Sequence, residues 1–220
     1  MKQMYLLIIT LLCMILMAGC QDSGATAVPI AEPTQEEVPT QAVEPTKQVK
    51  TATPQPSTLE EVATEILYGL DNKNLAKIAP YVHPEMGVRF SPYGYVSDDD
   101  VVFTADGFAD LFKDNKRYMW GFYDGIGDPI ALTFSEYYQL FVYNAEYINA
   151  EQIGYNQQIG QGNSMNNITE YYPGAEFVEY HFSGFDPQYG GMDWQSLRLV
   201  FIKEKGQYFL VGIVHAQWTI

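Results

Sequence analysis

Gln195–Trp218, QSLRLVFIKEKGQYFLVGIVHAQW, decides the fold. Two apolar runs rich in β-branched and aromatic residues, Gln195 to Lys203 and Gln207 to Trp218, are joined by Lys203-Glu204-Lys205-Gly206. A short charged link ending in glycine between two such runs predicts a β-hairpin. Just upstream, Glu176 to Phe182 reads as a third long strand. The chain therefore closes on an antiparallel sheet.

Towards the N-terminus the pattern changes to helical spacing. Ser57-Thr58-Leu59-Glu60 is a capping-box pattern, and Leu59, Val62, Ala63, Ile66, Leu67 and Leu70 follow on one face. Asp71-Asn72-Lys73-Asn74 breaks that helix, and Leu75, Ile78, Ala79 and Val82 make a second that stops by His83-Pro84. Val88 to Tyr95 reads as extended chain, and Thr104 caps a third helix with Phe103 and Phe108 as a hydrophobic staple. Arg117 to Tyr123 is strand-like, and Asp124 to Pro129 turns the chain. Thr133-Phe134-Ser135-Glu136 opens a fourth helix carrying Tyr137, Leu140, Phe141 and Asn144. The stretch from Asn149 to Pro173 is polar and rich in Gly and Asn, and reads as a long loop or insertion. Helices first and strands last give an α+β domain, with N-terminal helices packed on a curved antiparallel sheet.

That domain, residues 58–220, is preceded by two segments of different character. Residues 1–19 carry one positive charge at Lys2, an apolar run from Leu6 to Met17 and small residues before Cys20. The run is shorter than the ~20 residues a spanning helix needs, and the layout is that of a secretory signal. Met17-Ala18-Gly19-Cys20 resembles the bacterial lipobox, with Met17 where leucine is usual. The resemblance implies cleavage before Cys20 and acylation of that cysteine, and two or more acyl chains suffice for stable anchoring. Residues 20–57 contain no aromatic residue, while Pro29, Pro33, Pro39, Pro45, Pro54 and Pro56 recur among Thr, Gln, Glu, Ala and Val. Such a segment buries too little apolar surface to offset its ordering entropy and reads as a disordered tether.

Composition limits the chemistry further. The only other cysteine, Cys13, falls in the signal segment, so no disulfide or thiolate metal site is expected in the domain. A net charge of −15 argues against nucleic acid and anionic head groups as partners. No P-loop, Gly-x-Ser-x-Gly or His-Glu-x-x-His pattern occurs, and Gly160-Gln161-Gly162-Asn163 lacks the third glycine of a dinucleotide fingerprint. Asp98-Asp99-Asp100 lacks the spaced oxygen ligands of a calcium loop and reads as a solvated turn. Neither cofactor nor metal is expected.

The order of elements, two helices, a strand after a His-Pro turn, a third helix and long terminal strands, resembles the cone-shaped α+β fold of the nuclear transport factor 2-like (SnoaL-like) superfamily. Locally, Tyr81-Val82-His83-Pro84-Glu85-Met86-Gly87-Val88-Arg89-Phe90-Ser91-Pro92-Tyr93 and Leu210 to Ile220 look like segments of uncharacterised bacterial lipoproteins. The superfamily resemblance implies a pocket between the concave sheet face and the first helices. It does not choose between catalysis and ligand binding.

Candidate residues follow from strand alternation. His215 shares a face with Ile213 and Val211 and is the best general-base candidate, with a core histidine held by a carbonyl or carboxylate as the alternative. Glu179 and His181 share a face of an earlier strand and would join His215 in an acid/base or metal cluster if the strands pair suitably. Arg89 and Arg198, cations among apolar strand residues, read as salt-bridge members or as anchors for an anionic ligand. Trp120, Tyr123, Trp194 and Trp218 offer stacking surfaces for a sugar or other planar ligand, or else belong to the core.

The expected function is that of a membrane-anchored, extracytoplasmic lipoprotein whose cone-like domain binds a small ligand, glycan or partner protein without catalysis. The alternative is a cofactor-independent hydrolase, isomerase or dehydratase worked by His215 with a carboxylate such as Glu179. A homodimer through paired sheets is a further expectation.

Overall fold

The computed structural model describes residues 58–219. The signal segment 1–19, Cys20 and the tether 20–57 lie outside the described residues. Within them, no helix is long and apolar enough to cross a membrane.

Helix α1 spans Leu59–Asp71 and buries the predicted stripe of Leu59, Val62, Ala63, Ile66, Leu67 and Leu70. Its capping box starts one residue later than the sequence pattern suggests. Thr58 Oγ1 accepts from the Glu61 N–H at 3.2 Å, and the Glu61 carboxylate accepts from the Thr58 N–H at 3.1 Å. Both orphan donors at the helix start are thereby satisfied. Asn74 caps the short α2 (Leu75–Ile78), which tightens into a 3₁₀ turn at Ala79–Tyr81 and ends before His83-Pro84.

The predicted Val88 to Tyr95 strand is shorter, β1 (Val88–Ser91), and pairs with β2 (Val101–Phe103). Thr104 caps α3 (Ala105–Ala109). The aromatic strand β3 (Arg117–Phe122) folds back on β4 (Pro129–Thr133) as a separate two-stranded sheet. Thr133 and Glu136 form the expected capping box of α4 (Phe134–Tyr137), which widens into a π-turn at Tyr138–Val142.

Three long strands close the chain as the sequence predicts: β6 (Glu176–Phe182), β7 (Gln195–Glu204) and β8 (Gln207–Gln217). Lys205 and Gly206 turn between the last two with φ of 49° and 85°, the left-handed pair of a type I′ hairpin. With β5 (Gln152–Tyr155) they form a six-stranded sheet ordered β2-β1-β8-β7-β6-β5. The sheet is mixed rather than wholly antiparallel, because β1 runs parallel to β8 in the register Phe90↔Ile213. A parallel pair needs a long crossover, which the intervening chain supplies.

One face of the sheet packs on the helices. Phe90 sits at the centre of an aromatic cluster, with Phe103, Phe108, Trp120, Phe134 and Tyr137 rings at 5.8 to 6.2 Å. Trp120 stacks on Tyr137 at 3.8 Å. The other face is covered by the segment that reads as a loop in sequence. It contains β5 and a one-turn helix α5 (Ile168–Tyr171), and its Ile168 and Tyr172 pack with Val96, Phe177, Val200, Val211 and Val214 in a second apolar cluster.

Glycines let this strap lie close. A Cβ on Gly154 would meet the Gln157 carbonyl oxygen at 2.5 Å, and one on Gly160 would meet the Trp194 ring at 2.5 Å and Ser196 Oγ at 2.7 Å. Gly160→Ala should therefore lift the strap and lower stability by about 1–3 kcal/mol, as overpacking does. A urea midpoint unchanged from the parent would show that the strap is not fixed there.

Candidate functional site

His215 lies in β8 with 0% exposure. Its Nδ1 is 3.0 Å from the Pro92 carbonyl oxygen and its Nε2 is 3.1 Å from Asn144 Nδ2. A carbonyl only accepts, so Nδ1 carries the proton and Nε2 accepts from the Asn144 amide. Asn144 Oδ1 in turn accepts from Tyr147 Oη at 2.8 Å. Phe141 packs edge-on to the imidazole at 5.6 Å, and the π-turn at Tyr138–Val142 precedes Asn144. Burial pushes the His215 pKa down to about 4, helped by the Arg198 charge and opposed by the Pro92 hydrogen bond. This is the core histidine satisfied by a backbone carbonyl.

The proposed partnership with Glu179 and His181 fails on register. Residues directly opposite one another share a face, and His215 is opposite Leu197, which is opposite Tyr180. Glu179 and His181 flank Tyr180 and so point to the other side of the sheet. Glu179 pairs there with Arg198, Nε to Oε2 at 2.8 Å, with side-chain exposures of 0% and 2%. The strap completes the pair. Ile159 and Gly160 N–H groups donate to the Glu179 oxygens at 3.2 and 2.8 Å, and Arg198 Nη2 donates to the Gly160 carbonyl at 3.1 Å. Burial alone would raise the Glu179 pKa, but Arg198 and these hydrogen bonds outweigh it and hold the carboxyl below its ordinary value. His181 Nδ1 is 2.8 Å from Ser196 Oγ, and burial pushes its pKa down.

Arg89 is a staple for its surroundings. Nη1 donates to the carbonyls of Ser97, Asp98 and Asp100, Nε donates to Tyr172 Oη, and the guanidinium lies 5.2 Å from the Tyr171 ring centre. Asp100, part of the expected solvated turn, is tied inward by Ser91 Oγ at 2.5 Å and the Ser97 N–H at 2.9 Å. The Arg198 guanidinium is enclosed by Glu179 and the strap, and Arg89 is tied to backbone carbonyls and Tyr172. Among the described residues, no group of three or more His, Cys, Asp or Glu is placed to hold a metal ion.

The aromatic candidates separate by exposure. Trp120 is sealed in the core and donates through Nε1 to the Leu132 carbonyl at 2.9 Å, so it is not a ligand platform. Trp194 packs under the strap against His181, and Tyr123 is half-buried against Phe141. Trp218 alone among the tryptophans is well exposed, at 39%. It borders an open cleft of about 120 Å³ with Tyr93, Asp124, Gln217 and Thr219. Tyr93 Oη accepts from the Asp124 N–H at 3.1 Å, which fixes the phenol beside the carboxylate. Thr219 Oγ1 is buried without a hydrogen-bond partner, and the Thr219 carbonyl accepts from Asn163 Nδ2 of the strap.

Four of these five residues carry no local signal in the sequence. Asp124 looks like a turn residue, Gln217 and Thr219 like a fraying strand end, and Tyr93 like one tyrosine among many.

No protein-family model and no curated protein sequence matches this chain. Among solved structures it is similar to Rd1NTF2_05, at 13% identity over 71% of this chain and 94% of that one, with a TM-score of 0.29. It is also similar to a DUF4783 family protein from Bacteroides ovatus, at 8% identity over 70% and 92%, with a TM-score of 0.25. At these TM-scores no element-by-element equivalence follows, and the α+β architecture rests on the strand order given above.

The buried histidine gives stability a defined pH window. Its folded pKa of about 4 lies below the ordinary 6.5, so between those values the unfolded chain binds the extra proton. The contribution is complete above 6.5 and is lost as the pH falls towards 4. Unfolding by urea should show a loss of about 2 kcal/mol between pH 7 and pH 5 from this residue, reduced in His215→Gln. Equal pH slopes in parent and variant would contradict a neutral, buried imidazole.

Proposed function

We propose that this chain is a lipid-anchored, extracytoplasmic binding protein, acylated on Cys20 and carrying a non-catalytic, cone-like domain of the nuclear transport factor 2-like kind on a proline-rich tether. The reading of the domain is carried by one contrast. The cleft beside Trp218 is open and lined by an exposed indole and a carboxylate, whereas both ring nitrogens of His215 are engaged inside the core. Binding sites combine apolar walls with a few polar groups aimed inward, and Trp218, Tyr93, Asp124, Gln217 and Thr219 supply that combination. The enzymatic alternative has lost its constellation, since His215 and Glu179 lie on opposite faces of the sheet.

The anchor reading is supported by the signal-like residues 1–19, the Met17-Ala18-Gly19-Cys20 sequence and the aromatic-free, proline-punctuated tether. The acidic composition suits a domain held off an anionic surface rather than on it.

Mass spectrometry of the mature N-terminus should find Cys20 acylated, and Cys20→Ser should move the protein from the membrane fraction to the soluble fraction. An unmodified cysteine in a membrane-bound protein would refute lipid anchoring.

A further inference from the structure

The class of ligand is narrowed by what the cleft offers and what it lacks. None of its five lining residues is cationic, and its single formal charge is the exposed Asp124 carboxylate. An anionic ligand would meet that carboxylate with only neutral donors, the phenol, the indole N–H and the amide, to offset it. It would also approach against the field of a chain carrying a net charge of −15. A cation gains from both.

The aromatic walls select in the same direction. The indole of Trp218 and the phenol of Tyr93 present electron-rich ring systems, and tryptophan is the strongest cation–π partner among the side chains. Among the described residues the buried Thr219 Oγ1 has no hydrogen-bond partner. The cleft, about 120 Å³, has room for an amine head group.

We propose that the cleft lined by Tyr93, Asp124, Gln217, Trp218 and Thr219 binds a small organic cation, an amine or methylated ammonium group, with Asp124 as its counter-charge and Trp218 as its aromatic wall. This rests on the binding reading above and specifies its ligand. The ammonium group can belong to a free solute or to a lipid head group, and the chemistry at the cleft is the same for both.

Tryptophan fluorescence reads the site directly, because Trp120 and Trp194 are shielded and Trp218 is not. The full chain in neutral detergent should respond saturably to choline and to ethanolamine, and respond little to methyl glucoside or acetate. Asp124→Asn should weaken choline binding about two- to fivefold, as expected for loss of an exposed counter-charge. Trp218→Phe should remove the signal while circular dichroism stays unchanged. Phosphatidylcholine vesicles added to the Cys20→Ser chain separate the two sources, since a response to vesicles that exceeds that to free choline identifies the head group. A saturable response to methyl glucoside with none to the cations, unaffected by Asp124→Asn, would overturn the cation assignment and leave the cleft as a binding site. Silence towards every probe, with Trp218 equally open to acrylamide before and after their addition, would remove both the cation assignment and the cleft.

Discussion

The buried ion pair between Glu179 and Arg198 constrains this fold more than any other contact. Two full charges sit opposite each other on β6 and β7, almost without solvent exposure. Desolvating such groups costs several kcal/mol per ion unless their remaining hydrogen-bonding capacity is met. The strap meets it, through two backbone N–H groups on the carboxylate and one carbonyl on the guanidinium. A polar segment that would otherwise wander over the surface is therefore held against the sheet, and in lying there it buries Ile168 and Tyr172 over Val200, Val211 and Val214. The pair also guards the register. A slip of one residue would turn Glu179 and Arg198 into the aromatic core around Phe90, which offers a charge no partner.

That same register disposes of the acid/base cluster. Once Glu179 faces Arg198 under the strap, strand alternation places His215 on the helix side, beside Phe141 and Asn144. Both groups have strongly altered surroundings, and perturbed titration is a common mark of catalytic sites. Here the causes are structural. The imidazole is neutral because it is buried and hydrogen-bonded at both nitrogens, and the carboxylate is ionised because it is paired. Neither has an unspent proton-transfer partner.

What was legible in the sequence was local. The three terminal strands, the charged hairpin turn, the break after α1 and the threonine cap of α4 are each decided by residues within a few positions of one another. The cap of α1 was misplaced by one residue because Ser57 and Thr58 both fit the pattern, and only the Glu61 side chain distinguishes them. The strap reads as a loop because its anchors, Gly160 and Asn163, acquire meaning only against Trp194 and Thr219 brought together by the fold. The parallel pairing of β1 with β8 joins residues more than a hundred positions apart and leaves no trace in either segment. Trp120 and Trp218 look alike in sequence, each in an aromatic strand, yet one is a core residue and the other a wall of the cleft.

The distribution of charge follows from the same economy of cations. Arg198 is consumed by Glu179 and Arg89 by backbone carbonyls, both in the service of packing. At the surface Lys77 pairs with Glu65, Lys113 with Asp110 and Arg117 with Glu136, each on its own side of the domain. These five cations are thus spent locally, and the excess acid sets the field that an approaching molecule meets. The contacts that fix the fold thus also fix where its positive charge is held.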